Sequence, residues 1–217
     1  VDVSKDYGQY CGLARALDVV GDRWNLLIVR QLLIRPARYS ELRSGLPGVA
    51  TNLLAGRLRE LEAAGVIERR LADDADGIEY ALTPWGRELR EPIEGLIRWS
   101  TPLMTRGPQG DQFRAEWLEL ALPAVLADRP RPRRAVSIRV ELPEGTIVIT
   151  STRSGFEFGG SADGPVDAVI RTGADVLLGV AVGMLPVDSL DIDGDRSAVS
   201  AVFDRSGIEK QPTGPRS

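Results

Sequence analysis

The chain has 217 residues, 43% of them hydrophobic, and a formal net charge of −4, which is enough for one large or two small domains with a real core. A single cysteine and no histidine exclude an intrachain disulfide, a cysteine-cluster metal site, His-ligated zinc and His-based general-base catalysis. No apolar run approaches the ~18 residues of a membrane span. The first residues, VDVSKDYGQY, carry no basic segment followed by an apolar one, so the expected compartment is the cytoplasm, without membrane association. With no nucleophile–base pair and no phosphate loop, neither an enzyme nor a bound cofactor is expected.

In chain order, Tyr7 to Val20 is expected to be a helix with Leu13, Ala14, Leu17 and Val20 on one side, ended by Gly21. Asp22 is expected to cap a second helix, Arg23 to Ile34, whose Trp24, Leu27, Ile28 and Leu32 recur at helical spacing and which Pro36 stops. A short helix, Ser40 to Ser44, and the turn Gly45-Leu46-Pro47-Gly48 precede GVATNLLAGRLRELEAAG, the segment Gly48 to Gly65. Thr51 is expected to cap this fourth helix and Gly65 to end it in a left-handed turn.

At 100° per residue, Leu58 and Leu61 fall within about 40° of Leu54, with Asn52, Ala55, Gly56, Arg59 and Ala63 opposite. That outer face is small, polar and basic. Small side chains let a helix sit deep in a major groove, and Asn and Arg carry the forked donors and acceptors that read base edges. Charge follows the same segment: Gly21 to Arg70 holds nine arginines and five acids, a balance of +4, whereas Thr105 onward holds 13 basic and 16 acidic residues, or −3.

Val66 to Leu71 and Ile78 to Leu82 are strand-like around the turn Asp73-Asp74-Ala75-Asp76-Gly77. Helix, helix, turn, helix and hairpin is the order of a winged helix-turn-helix. Thr83-Pro84 is expected to open one long helix whose Leu89, Ile93, Leu96, Ile97 and Leu103 form an apolar stripe too long for a small domain to cover. A dimer seam, or packing on the second half, would cover it.

These segments carry a resemblance. Tyr10-Cys11, ALDVVGDRWNLLIVRQLL, RYSELRSGLPGVATNLLAGRLRELEAAGVIERR, IEYALTPWGREL and Ile97-Arg98-Trp99 resemble the HxlR family of bacterial winged-helix regulators, which are MarR-like, over roughly Tyr10 to Ser100. The resemblance implies a homodimer through the terminal helices, double-stranded DNA as partner, and the helix Ala50 to Ala64 in the major groove. It also places Cys11 at a thiol-sensing position, and a thiol-redox regulator is an alternative reading. Three acids at the wing tip, Asp73, Asp74 and Asp76, would repel phosphates, so DNA contacts are expected on the helix and at the wing base. Thr51, Asn52 and Arg59 would face bases or the groove wall. Arg57 sits at the edge of the buried sector and suits a phosphate or a structural carboxylate equally. Arg38 and Ser40 suit phosphates, and of Arg69 and Arg70, which alternate direction, at most one reaches DNA.

The composition shifts at Arg106 to Gly110, dividing a winged-helix domain (1–104) from a second domain (105–217) whose tail, 209–217, is expected to be disordered. Phe113 to Leu126 is expected to be a helix, ended by the proline-rich run Arg129 to Arg134. Val136, Ile138 and Val140, then Ile147, Ile149 and Ser151, then Gly155 to Gly159 alternate as an antiparallel meander. Val166 to Arg171 adds a strand, Ala174 to Leu185 a helix apolar on nearly every side, Leu190 to Asp193 a strand, and Asp195 caps a last helix. The pattern resembles a sterol-carrier-protein-like domain over about Val136 to Gly207, which implies a small α+β fold and an apolar tunnel for a fatty or sterol-like effector. Phe156, Phe158, Leu177, Val180, Ala181 and Met184 are its expected lining. The same helix would equally serve as plain core. The expected whole is an α+β protein: a dimeric, DNA-binding regulator tuned by a hydrophobic small molecule. The alternative is a ligand carrier that uses its winged helix for protein contacts.

Overall fold

A computed structural model describes residues 6–72, 77–107, 109–129, 132, 134–152, 155–159 and 164–204. The chain forms two compact units, Val1–Ile93 and Glu94–Ser217.

In the first unit α1 is Gly12–Val20, α2 Asn25–Ile34, α3 Tyr39–Gly45 and α4 Thr51–Ala63; β1 (Ile67–Leu71) and β2 (Ile78–Leu82) follow, then α5 (Pro84–Arg87). The α1 helix starts five residues later than the periodicity suggests. Gly8 has φ +64, which a right-handed helix does not admit, and the preceding residues fold onto the helix through Tyr7 N to Asp18 Oδ1 at 3.0 Å. Asp22 does not cap α2. Trp24 holds the N-cap position with φ 85 and no side-chain cap bond, while Asp22 turns to the Arg57 guanidinium at 2.6 Å. Thr51 does not cap α4 either. Ala50 occupies that position and Thr51 is the first helical residue, its carbonyl accepting the Tyr39 hydroxyl at 2.8 Å. The far end is as the sequence implies: Gly65 has φ +75, and Val66 N bonds Leu61 O while Gly65 N bonds Glu62 O, a Schellman closure that satisfies the last carbonyls.

The hairpin pairs Ile67 with Leu82 and Arg70 with Glu79. A third short partner joins it, since Ala37 and Tyr80 exchange both backbone hydrogen bonds. The stretch after α2 is thereby stitched to the wing. Leu54, Leu58 and Leu61 are at most 1% exposed and share the core with Ile28, Leu42 and Ile67.

The long helix expected after Thr83 is two helices. Thr83 Oγ1 accepts Gly86 N at 3.0 Å and caps α5; Glu88 N and Leu89 N then make tight i−3 bonds to Trp85 O and Gly86 O, and α6 runs Arg90–Ser100. Pro92 has no N–H and its ring clashes with a carbonyl four residues back, so it is tolerated only in a first turn. Pro102 likewise marks the change from α6 to a 3-10 helix, Thr101–Arg106.

In the second unit a 3-10 turn, Ala115–Trp117, leads into α7 (Leu118–Leu126). Five strands follow: β3 (Ser137–Leu142), β4 (Gly145–Ser151), β5 (Phe156–Phe158), β6 (Ala168–Arg171) and β7 (Asp191–Gly194), in sheet order β5-β4-β3-β6-β7. The expected meander is β3-β4-β5; β6 then returns parallel to β3. Helix α8 is Ala174–Ala181, shorter than its apolar run, because Gly183 has φ +76 and turns the chain back so that Leu185 packs on Gly179. Asp195 caps α9 (Arg196–Phe203) through Ser197 N at 2.8 Å and Ala198 N at 3.3 Å. Ile138, Ile149, Ile170, Leu177 and Val199 are fully buried between sheet and helices. The wing-tip acids Asp73, Asp74 and Asp76 and the tail 209–217 lie outside the described residues.

Candidate nucleic-acid interface

The interface is built on α4. Burial of Leu54, Leu58 and Leu61 fixes the rotation of the helix about its axis, so Thr51, Asn52 and Arg59 face outward and are exposed. Asn52 Oδ1 accepts Leu53 N at 2.9 Å. Arg59 makes no hydrogen bond or ion pair among the described residues. Arg57 is the opposite case. Its side chain is 15% exposed and lies between Asp22 at 2.6 Å and Glu60 at 2.5 Å. Of its two expected uses the geometry favours the structural carboxylate, which ties α4 to the chain entering α2.

Helix α3 precedes α4 with Ser40 exposed in its first turn. Arg38 N donates to Glu41 Oε2 at 2.7 Å, which closes the helix start. Two residues passed over in the sequence belong to this surface. Tyr39 locks α3 to α4 through its hydroxyl, and Arg43 is exposed in the last turn of α3. Arg43 was legible as one of the nine arginines of the +4 segment; the Tyr39 bond, twelve residues long in sequence, was not.

At the wing base the alternation of the strand separates Arg69 from Arg70. Arg69 Nε meets Glu62 of α4 at 2.8 Å, and this carboxylate holds the guanidinium above its ordinary pKa. Arg70 Nε meets Glu79 across the hairpin at 2.8 Å, and its side chain lines a cavity with the end of α2. Arg69 is therefore the one beside α4.

Cys11 is exposed at the N-cap of α1. The Ala14 and Leu13 amides point at its sulfur and bring its thiol below the ordinary range. The six residues expected to line a ligand pocket have different fates. Leu177, Val180 and Ala181 are core, and Phe156 and Phe158 pack against it with rings 6.4 Å apart. Met184 is 57% exposed beyond the end of α8.

A buried core under a helix whose exposed face carries Asn52 and Arg59, followed by a stitched hairpin, defines a winged helix-turn-helix protein. Residues 19–107 match the HxlR-like helix-turn-helix family model. The chain is 38% identical over 88 residues to the uncharacterized HTH-type transcriptional regulator YvaP of Bacillus subtilis (strain 168), covering 40% of this chain and 82% of that protein. With YdeP of the same organism, another uncharacterized HTH-type transcriptional regulator, it shares 32% identity over 100 residues, 46% of this chain and 78% of the relative. Among solved structures, the reduced form of the transcriptional regulator YodB from B. subtilis is 29% identical over 46% of this chain and 99% of its own, with a TM-score of 0.39. This chain belongs to the HxlR-like helix-turn-helix family. No helix among the described residues is long and apolar enough to cross a membrane.

Proposed function

We propose that the protein is a homodimeric, sequence-specific DNA-binding transcriptional regulator whose second unit is a sterol-carrier-like effector module. The observation that carries the DNA reading is the outward face of α4, where Thr51, Asn52 and Arg59 stand exposed on a helix whose rotation the buried leucines fix. Asn52 and Arg59 enter the major groove, Ser40 and Arg43 meet phosphates from α3, and Arg69 approaches the backbone beside α4. Arg57 is held by Asp22 and Glu60 and Arg70 by Glu79, whereas Arg38, two residues before Ser40, meets a phosphate with it. Base contacts supply specificity; phosphate contacts supply most of the affinity and make it salt-dependent. Mobility shift against genomic duplexes tests the reading. A retarded, sequence-selected fragment whose affinity falls by orders of magnitude from low to physiological salt supports it, and equal retention of all duplexes at every salt concentration defeats it.

Apolar surface supports the dimer. Tyr10 and Leu13 are 105% and 69% exposed around α1, and Leu96 and Trp99 are 48% and 76% exposed on α6, apolar surface that a dimer seam would cover. Sedimentation should give twice the chain mass, and Leu13→Glu with Trp99→Glu should give the chain mass.

For the effector, the support is the partly buried apolar group Phe156, Phe158, Val176 and Leu178 against the core of the second unit. A fatty or sterol-like molecule entering there must bind the DNA-competent and incompetent dimers unequally to regulate anything. Operator affinity with and without long-chain acyl and sterol-like probes decides this; a bound probe that leaves operator affinity unchanged removes the effector role. The exposed Cys11 favours a second input. With no other cysteine in the chain, peroxide oxidation of two Cys11 thiols, one per protomer, would give an intersubunit disulfide and water, and a small thiol would give a mixed disulfide. Cys11→Ser that releases operator under oxidant as the native protein does would end that input.

A further inference from the structure

Between the end of α2, the hairpin and the α5–α6 turn lies a cavity of about 230 Å³. Its wall carries four arginines, Arg35, Arg70, Arg87 and Arg90, on an apolar surface that includes Leu33 and Ala81; no acid is among its lining residues. We propose that this cavity binds a small organic acid with an apolar body, a medium-chain monocarboxylate, with its carboxylate among the arginines and its chain on the leucines and Ala81.

Charge and shape support this independently. The C-terminus of α2 brings about half a negative charge to the cavity and Glu79 pairs with Arg70, so Arg35, Arg87 and Arg90 supply the excess of positive charge. Two of them are set in place by the cavity's own wall: Arg87 Nη1 donates to Leu82 O at 2.8 Å and Arg90 Nη2 to Leu33 O at 3.1 Å. A guanidinium has five N–H donors, so Arg87 can hold that carbonyl and still offer a fork to a carboxylate. Donors fixed before binding lose little entropy when a ligand arrives. Inorganic phosphate would satisfy the arginines and leave the apolar wall wet, whereas an amphipathic acid satisfies both. The volume lies below the ~300–1,000 Å³ of pockets for drug-sized ligands, which suits a chain of octanoate length.

The site is separate from the outward face of α4, and its occupancy does not rest on the DNA reading. Calorimetric titration of the full chain without DNA, using sodium octanoate, 1-octanol and sodium phosphate, tests it. One octanoate per chain should bind, about tenfold more tightly than octanol, which lacks the charge-assisted bonds, and phosphate should not displace it. Arg87→Gln should weaken octanoate about tenfold with little change for octanol; should that variant not fold, Arg35→Gln at the exposed edge gives the same comparison. Leu33→Trp, which fills the cavity without changing charge, should abolish binding. Equal affinity for octanoate and octanol, displacement by phosphate, or octanoate binding that survives Leu33→Trp and so belongs to another part of the chain would each overturn the proposal.

Discussion

Asn52 and Arg57 sit five residues apart on one helix and do opposite things. Asn52 is exposed and, among the described residues, bonded to the next amide alone, so its amide nitrogen is available to a base edge. Asn52→Ala should cost roughly 1–3 kcal/mol on specific sites and little on random duplex. Arg57 is held by two carboxylates. Arg57→Ala should lower the stability of the first unit, read by urea titration, and weaken all sequences alike, because it leaves Asp22 and Glu60 facing each other. Arg134 plays a comparable structural part in the second unit, 2.8 Å from Asp167 and 2.6 Å from Asp195. Arg134 is the main cause of the lowered Asp167 pKa; Ser197 leads for Asp195, with Arg134 assisting. A carboxylate depressed in the folded state contributes stability that is present above its unfolded value near ~3.9 and lost as pH falls through the folded value. Urea midpoints should therefore drop below about pH 4, and the drop should be shallower in Arg134→Gln, which starts lower at neutral pH. A variant that follows the native pH profile would show that the network contributes nothing.

Among the α-helices of the described residues, α5 is the shortest, yet it sets the join between helix and wing. A Cβ on Gly86 would lie 2.0 Å from Val66 O, a backbone atom that cannot swing aside. Gly86→Ala should cost about 2–3 kcal/mol or more, seen as a lowered melting temperature together with lost DNA binding. The same element shows where periodicity stops informing. Strands β1 to β5, α4 and α9 were legible because apolar alternation, Gly65 and Asp195 are local signals. The α5–α6 break was also written locally, in Pro92, but the apolar stripe from Leu89 to Leu103 runs through it and masks it. Asp22 and Thr51 have the chemistry of caps; Asp22 gives its carboxylate to Arg57, distant in sequence, and Thr51 is already the first helical residue, with Ala50 at the N-cap. The outward face of α4 could be read from the sequence since leucine spacing alone fixes it. The cavity behind the wing could not, since Arg35, Arg70 and Arg87 converge only once the hairpin has folded onto α2.

At the scale of the molecule the net charge of −4 hides a positive DNA-binding segment within an acidic chain, so steering toward DNA depends on orientation as well as on charge. The second unit is closed by one residue the sequence left in a proline-rich connection. Arg129, 7% exposed, donates to the carbonyls of Phe203 and Ala181 at the ends of α9 and α8, 74 and 52 residues further along the chain. Such bonds close only after both helices have docked, since long loops must be ordered first. They are therefore absent from an early folding transition state and act as a brake on leaving the native state rather than as an aid to reaching it. Arg129→Met keeps much of the stem and strands two buried carbonyls at about 1–3 kcal/mol each. In a stopped-flow chevron the refolding limb should barely move, while unfolding accelerates by roughly thirtyfold to about twenty-thousandfold at 1.36 kcal/mol per decade. How long the second unit persists once folded should thus depend strongly on a single side chain in a connection.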